Sequence, residues 1–227
     1  MIECNFFCKR IFDIFFSLFF IIFLSHLFLP ITLLLRTTGE GEIFYRQIRL
    51  GKNNNPFYIY KFATMLKNSP AIGTRTITMK NDPRVLPFGK FLRKTKLNEL
   101  PQLLNVLVGD MSVVGPRPLT AETRRYIPKM SLRKIASLKP GITGIGSIIF
   151  RNEELYADIA NMDYHQFYAK EIGPFKGDLE VWYLKNHGIF LDFKIIIATV
   201  FVVFFPKFRL VNYFFPKLPK HPLFNSN

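Results

Sequence analysis

Between Asn81 and Leu119 the chain reads NDPRVLPFGKFLRKTKLNELPQLLNVLVGDMSVVGPRPL, which sets Arg84, Lys90, Arg93, Lys94, Lys96 and Arg117 around Glu99 and Asp110, with Asp82 as the remaining acid. Many cations around few acids suit a diphosphate held with a divalent metal. A guanidinium fork meets phosphate oxygens two at a time, so Arg93 and Arg117 are better phosphate partners than the lysines beside them. Mg²⁺ asks for one or two carboxylates and takes its remaining ligands from substrate phosphate, which makes Glu99 its natural first ligand. Asp110 reads as a helix-terminal carboxylate. In Val114-Gly115-Pro116-Arg117-Pro118 the prolines stiffen the backbone and Gly115 allows a close turn, a combination that fixes Arg117 against a ligand.

The charge around this stretch is uneven. The chain has 227 residues, 26 of them Phe, and a formal net charge of +15. Residues 36–139 hold 20 Lys or Arg against 6 Asp or Glu, a net of +14, while the first 35 residues are neutral and residues 140–227 balance 9 bases with 8 acids. Such a block suits nucleic acid, an anionic membrane or a phosphorylated ligand. Nucleic acid is disfavoured, because the aromatic residues fall in core-like patterns and a polyanion binder needs no carboxylate among its cations. Cys4 and Cys8 precede the first apolar run without zinc-like spacing to His and read as reduced thiols.

The elements that must position these groups begin with an apolar run from Ile11 to Leu35, whose only ionisable members are Asp13 and His26. As one helix it would be roughly 37 Å long, against about 30 Å of bilayer hydrocarbon, so it belongs in lipid. It lacks the short core and small-residue cleavage site of a signal peptide. Lys9 and Arg10 lie before it and Arg36, Arg46 and Arg49 after it, which pulls both ends to the cytoplasm. Pro30 denies an N–H to the carbonyl of His26. A re-entrant helix that bends near Leu29-Pro30 satisfies both observations; a kinked spanning helix is the alternative. Ile195–Phe205 is too short to cross and is bracketed by Lys194, Lys207 and Arg209, as an interfacial element would be, although a buried helix has the same composition.

The rest reads as α+β, mainly α. Residues 42–48 and 56–64 around Gly51-Lys52-Asn53-Asn54-Asn55 predict a β-hairpin, and 66–81 a loop. Periodic apolar positions predict two short helices over 87–107 meeting near Leu97-Asn98, and further helices over 120–138, 153–170 and 176–187. The expected organisation is a re-entrant helix over 1–38, a catalytic domain over 39–194, an interfacial segment over 195–215 and a Pro-rich disordered tail over 216–227.

Taken together, KRIFD at residues 9–13, the Pro30 break, IYKFATM, DPR, LRKTKLNELPQLLNVLVGDMSVVGPRPL, KPGITG and YLKN resemble the bacterial sugar transferases, small monotopic polyprenyl-phosphate phosphoglycosyl transferases, over nearly the whole chain. The resemblance implies a re-entrant helix, a compact mixed domain and interface-lying amphipathic helices, held on the cytoplasmic face of a bacterial inner membrane in one leaflet. It implies transfer of a sugar 1-phosphate from a UDP-sugar to undecaprenyl phosphate with Mg²⁺, releasing UMP and starting surface glycan assembly. In that family an Asp-Glu dyad supplies the nucleophile and the metal ligand; here it falls on Asn98 and Glu99. The resemblance also assigns Arg84, Arg93 and Arg117 to substrate phosphate or nucleotide, and Arg151 to a position near the sugar diphosphate.

The chain departs from the pattern at three places. Asn98 replaces the nucleophilic Asp, and an amide oxygen is both a poorer nucleophile and a weaker magnesium ligand. Glu99 then acts as nucleophile, or as metal ligand for direct transfer to a lipid phosphate that is already anionic; otherwise the protein is a degenerate member serving as a non-catalytic regulatory or scaffold subunit. Ile145-Gly146-Ser147 stand where the family continues with Trp-Ala-Gln, and Glu180 stands where Asp is usual. Neither the sugar nor the oligomeric state is encoded by a motif, and a homo-oligomer is compatible with the sequence.

Overall fold

The computed structural model describes residues 2–72, 82–151, 164–205 and 211–224. The chain opens with helix α1 (Ile2–Phe23) and helix α2 (Ser25–Thr37), followed by the antiparallel hairpin of β1 (Phe44–Leu50) and β2 (Pro56–Phe62). Helix α3 (Pro87–Lys94) leads through a 3₁₀ turn (Leu97–Glu99) into α4 (Gln102–Val108). A parallel pair, β3 (Ser112–Val114) and β4 (Gly141–Thr143), brackets α5 (Ala121–Arg124) and α6 (Lys129–Ile135). After it come α7 (Ile145–Ile149), α8 (Tyr164–Phe167), a π-helical turn (Tyr168–Ile172), α9 (Gly173–Asn186), α10 (Ile189–Phe204) and α11 (Val211–Phe214). The described residues are thus mainly helical with two small sheets, as the α+β reading expects.

The hairpin matches its prediction within two residues, because the asparagines Asn53 and Asn54 tolerate the positive φ that the connection needs. The two short helices expected over 87–107 are α3 and α4. The helix expected over 120–138 is two pieces: Pro128 cannot continue α5 and instead opens α6. The first part of the helix expected over 153–170, and residues 73–81 of the expected loop, lie outside the described residues. The β3–β4 pair, three residues to a strand, is too short to show a period and was not expected.

The membrane-helix reading needs a correction in position. Among the described residues no single helix is long and apolar enough to cross a membrane, whereas Phe6–Phe23 with Ser25–Thr37 passes that test as a pair bent by 62°. The bend lies at Leu24, and Pro30 sits inside α2. The physical reason is that Pro30 removes only the bond to the carbonyl of His26, which lies inside α2, so the helix runs on through the proline and the ladder breaks instead at Leu24. There the Ser25 hydroxyl donates to Ile22 O at 2.7 Å and the Leu27 N–H to Leu24 O, which satisfies carbonyls freed by the break.

Nor does the whole apolar run face outward. Asp13 is 2% exposed and accepts from the Val113 N–H (2.9 Å) and the Ser112 hydroxyl (3.0 Å). Arg10 donates to Val106 O (2.6 Å) and Leu107 O (2.8 Å), closing the carbonyl end of α4, while Lys9 pairs with buried Asp192 of α10 at 2.5 Å. The charges of KRIFD therefore bolt α1 to the body of the protein. Its other side remains apolar and exposed, with Phe15, Leu18, Phe19, Ile22 and Phe23 continuing into Leu29 and Leu33 of α2. Helix α10 is likewise divided: Asp192, Ile195 and Ala198 are buried, whereas Phe190, Phe193, Ile197, Val200 and Phe204 are exposed.

The main core packs Val106, Met111, Val113, Val114, Ile145 and Ile148 against Phe167, Ile172, Leu179, Tyr183 and Ile195. Residues 216–224 of the tail expected to be disordered are part of it: Leu218 and Phe224 are buried, and the Phe224 ring stacks on Phe175 at 5.8 Å and meets Phe150 edge-on at 4.8 Å. Two large apolar side chains among the prolines outweigh the loop composition. A smaller cluster of Ile31, Leu35, Phe62 and Leu92 ties α2 to β2 and α3.

Candidate functional site

A cleft of about 930 Å³ opens between the hairpin, the α3–α4 connection, the loop after β3, and α9 and α10. Its floor is assembled by backbone contact. A Cβ built on Gly115 would lie 2.4 Å from Lys139 O, one on Gly141 2.1 Å from Gly115 N, and one on Gly144 2.2 Å from Gly115 O. The two loops, GPRP and KPGITG, can therefore meet only as glycines, and they are joined by Gly115 N–H to Thr143 O (2.9 Å) and Gly141 N–H to Pro116 O (2.8 Å). Arg117 is delivered from this rigid junction, and Arg49 supports it by donating to Pro118 O at 3.1 Å.

Asn98 and Glu99 arrive from the opposite side. Lys96 adopts φ 62°, a left-handed conformation uncommon for a side chain of its size, and so reverses α3 into the 3₁₀ turn that carries both residues. Glu99 Oε1 accepts from Lys61 Nζ at 3.0 Å and lies 3.7 Å from Arg117 Nη2. Both contacts fall on Oε1; Oε2 has no hydrogen-bond partner among the described residues. Burial alone would push this carboxyl up, yet Lys61, Arg117 and Lys96 outweigh it and hold the acid well below the usual carboxylate range. Burial in turn lowers Lys61 to about 8, with Glu99 opposing part of that fall and Arg117 and Arg49 adding to it. Asn98 is 6% exposed, and its Oδ1 is buried without a partner.

Of the residues the sequence singled out, Asn98, Glu99, Arg93, Arg117 and Arg151 all line this cleft. Arg84 does not. It is 4% exposed, gripped by Asp82 through Nε (2.9 Å) and Nη2 (2.6 Å), and donates through Nη1 to Ser69 O and Ile72 O. The DPR arginine is thus a strut that ties the chain near residue 70 to the start of α3, with its donors turned inward rather than toward a phosphate.

Sequence reasoning missed Lys61. Its signal was there, since it is the one charge on a strand otherwise read as Pro-Phe-Tyr-Ile-Tyr and Phe. On a two-stranded hairpin with one face in the core, such a lone cation either faces solvent or meets an acid, and only the fold shows that the acid is Glu99. Ser147 and Glu180, noted above only as departures from a pattern, also line the cleft.

The cleft's lining is of two kinds. Part of the lining is charged, with Lys61, Lys96, Arg93, Arg117 and Arg151 beside Glu99, and part is apolar, from Phe16 and Phe20 of α1, Leu24 at the bend, and Ile196, Val200, Val203 and Phe204 of α10. An anionic head with an apolar tail fits that pairing. The model of the bacterial sugar transferases matches residues 4–206. The chain belongs to the bacterial sugar transferase family. Among its relatives, a UDP-glucose:undecaprenyl-phosphate glucose-1-phosphate transferase of Klebsiella pneumoniae is 38% identical over 206 residues, which cover 88% of this chain and 40% of that protein. An uncharacterised sugar transferase of Bacillus subtilis is 34% identical over 85% of each chain. An exopolysaccharide production protein of Rhizobium leguminosarum is 35% identical over 85% of this chain and 92% of its own length. This sugar transferase therefore spans about two fifths of the Klebsiella relative and most of the other two.

A divalent cation can be tested against the donors present. Among the described residues no three His, Cys, Asp or Glu converge, so an all-protein cage is ruled out there. The orphaned amide oxygen Asn98 Oδ1 and the carboxylate oxygen Glu99 Oε2, which the contacts to Lys61 and Arg117 leave aside, belong to neighbouring residues on the same turn. Two hard oxygen donors beside a site for phosphates fit Mg²⁺, which draws most of its ligands from substrate and water.

Proposed function

We propose that this sugar transferase moves a sugar 1-phosphate from a UDP-sugar to undecaprenyl phosphate, releasing UMP, at the cytoplasmic face of the bacterial inner membrane. The observation that carries the reading is the cleft that joins a cation-ringed carboxylate, Glu99, to an apolar wall made by α1 and α10. The exposed apolar sides of α1, α2 and α10 support docking in one leaflet, with the bend at Leu24 returning the chain to the side it entered from.

Within that reading Arg117, Arg93 and Lys61 bind the diphosphate and spread the charge that grows as its bond breaks. Glu99 Oε2 and Asn98 Oδ1 would hold Mg²⁺, which supplies Lewis-acid polarisation of the phosphate oxygens and neutralises the departing phosphate. A carboxylate held so strongly ionised by three cations is a weak nucleophile, which favours Glu99 as an anchor and direct attack by the lipid. An oxygen of the lipid phosphate then bonds to the phosphorus bearing the sugar, the bond from that phosphorus to the bridging oxygen breaks, and its electron pair leaves with UMP. The lipid phosphate is already anionic, so this route needs no general base.

The test is a panel of radiolabelled UDP-sugars with undecaprenyl phosphate and Mg²⁺ in detergent, read as UMP and glycolipid. Transfer that survives in Asn98→Ala at a reduced rate and disappears in Glu99→Gln supports direct transfer. No UMP from any donor, followed by strong activation in Asn98→Asp, would instead identify a degenerate site whose missing group is the nucleophile.

A further inference from the structure

Buried polar atoms are nearly always hydrogen-bonded, and an orphan marks a place where something else supplies the partner. Two such atoms belong to residues that line the cleft, Ser147 Oγ on α7 and Glu180 Oε2 on α9. Glu180 is 5% exposed, so its carboxyl cannot turn to bulk solvent. Its neighbours are chosen to keep it there. The backbone N–H of Arg117 lies close enough to oppose its rise in pKa, which puts it beside the loop that carries Arg117. Gly146 leaves room for it, since a Cβ at that position would lie 2.6 Å from Glu180 Oε1. Lys176, one turn earlier on α9, is drawn off toward the Tyr168 hydroxyl (2.9 Å) and the ring faces of Tyr168 and Phe150 (4.7 and 4.9 Å), and no ion pair to Glu180 forms.

We propose that Ser147 and Glu180 form the subsite that reads hydroxyl groups on the sugar ring of the donor, and so decide which sugar is transferred. The chemistry suits a neutral polyol. Burial raises the Glu180 carboxyl to about 8, against the opposing pull of Lys176 and the Arg117 N–H, so near neutral pH it presents an O–H donor and a carbonyl acceptor. The Ser147 hydroxyl donates and accepts. An acid in this state would repel no phosphate next door at Arg117, yet discriminates a ring hydroxyl that it can pair from an epimer that leaves it orphaned. The placement also fits the bond being broken, because Glu180 lines the same cleft beside the loop that holds Arg117 and the sugar is attached to the phosphate that Arg117 would bind.

This inference rests on the proposed transferase reading, and the test separates the two. Full-length protein in detergent is assayed with UDP-glucose, UDP-galactose, UDP-N-acetylglucosamine and UDP-N-acetylgalactosamine, each scored as kcat/KM, and binding of the same donors and of sugar-free UDP is measured by calorimetry. Glu180→Gln and Ser147→Ala are expected to lower kcat/KM for the preferred donor about tenfold or more and to change the ratio between the glucose and galactose epimers. UDP binding should stay within twofold. Gly146→Ala, whose new methyl pushes the carboxyl aside, should shift the same ratio, and adding Glu180→Asp, one methylene shorter, should recover part of it. Variants that scale all four donors equally, or weaken UDP as much as the UDP-sugars, would overturn the subsite while leaving the transferase standing. Wild type that transfers nothing but binds one UDP-sugar tighter than UDP through Ser147 and Glu180 would sink the transferase and keep the subsite; wild type that binds no UDP-sugar removes both.

Discussion

Gly115 is the position where a single methyl group should do the most damage, and the structure sets the scale. A Cβ there would sit 2.4 Å from Lys139 O, about 1 Å inside ordinary contact. The obstruction is backbone on both sides, so relief requires the GPRP loop to move away from β4. A shift of that size stretches the bonds Gly115 N–H to Thr143 O and Gly141 N–H to Pro116 O, now 2.9 and 2.8 Å, past the useful range. Two lost hydrogen bonds at about 1 kcal/mol each, together with overpacking strain of about 1–3 kcal/mol, put the cost of Gly115→Ala at roughly 3–5 kcal/mol. For a chain of this size that corresponds to roughly 6–20 °C in melting temperature. Arg117 would move with the loop, and a misplacement of about 1 Å at a reacting phosphate costs roughly 100-fold in rate. Unfolding can be followed through Trp182, the single tryptophan, whose ring meets Phe215 edge-on, and rate through UMP release. Gly109→Ala is the control: φ 101° makes alanine strained at the end of α4, so stability should fall by about 1 kcal/mol with kcat/KM retained. Gly115→Ala that melts within 2 °C of wild type and turns over within twofold would refute the claim that backbone contact positions Arg117.

Three further outcomes follow from the same geometry. Arg84→Met should lower stability by about 3–5 kcal/mol, because buried Asp82 loses the guanidinium that meets both of its oxygens and the carbonyls of Ser69 and Ile72 lose their donor, and should shift UDP affinity far less than Arg117→Met does; thermal melts and calorimetry on both variants check this. Lys61→Met removes the cation 3.0 Å from Glu99 and should reduce kcat by roughly 100- to 1000-fold while the protein stays folded, measured as UMP release alongside a Trp182 melt. Glu180 has its folded-state pKa raised from 4.5 to about 8, so its contribution to stability is complete below about pH 4.5 and is lost as pH rises through about 8. Stability measured from pH 5 to 9 should therefore fall by a few kcal/mol in wild type, and that component should vanish in Glu180→Gln; equal pH slopes in the two proteins would argue against a neutral buried acid.

Local pattern was enough for several parts of this molecule. The turn chemistry of Asn53 and Asn54 dictates the hairpin, apolar spacing dictates α3 and α4, and the crowd of cations around Glu99 between Arg93 and Arg117 marks the phosphate-binding side of the cleft, because these signals act over a few residues along the chain. The bend in the apolar run was legible but displaced: it falls at Leu24, while α2 runs on through Pro30. What only the tertiary structure decided were pairings between residues far apart in sequence. Arg84 and Arg117 look alike in their motifs, yet one is consumed by Asp82 and loop carbonyls while the other meets Glu99. Asp13, read as a charge within a lipid-bound run, is bonded to β3 about 100 residues away. Lys61 reaches Glu99 across 38 residues, and Gly146 and Glu180 matter to each other only because α7 packs on α9. Charge type and backbone propensity are properties of the local sequence, whereas the partner that neutralises a charge, and the space a missing Cβ leaves, exist only once distant segments have packed.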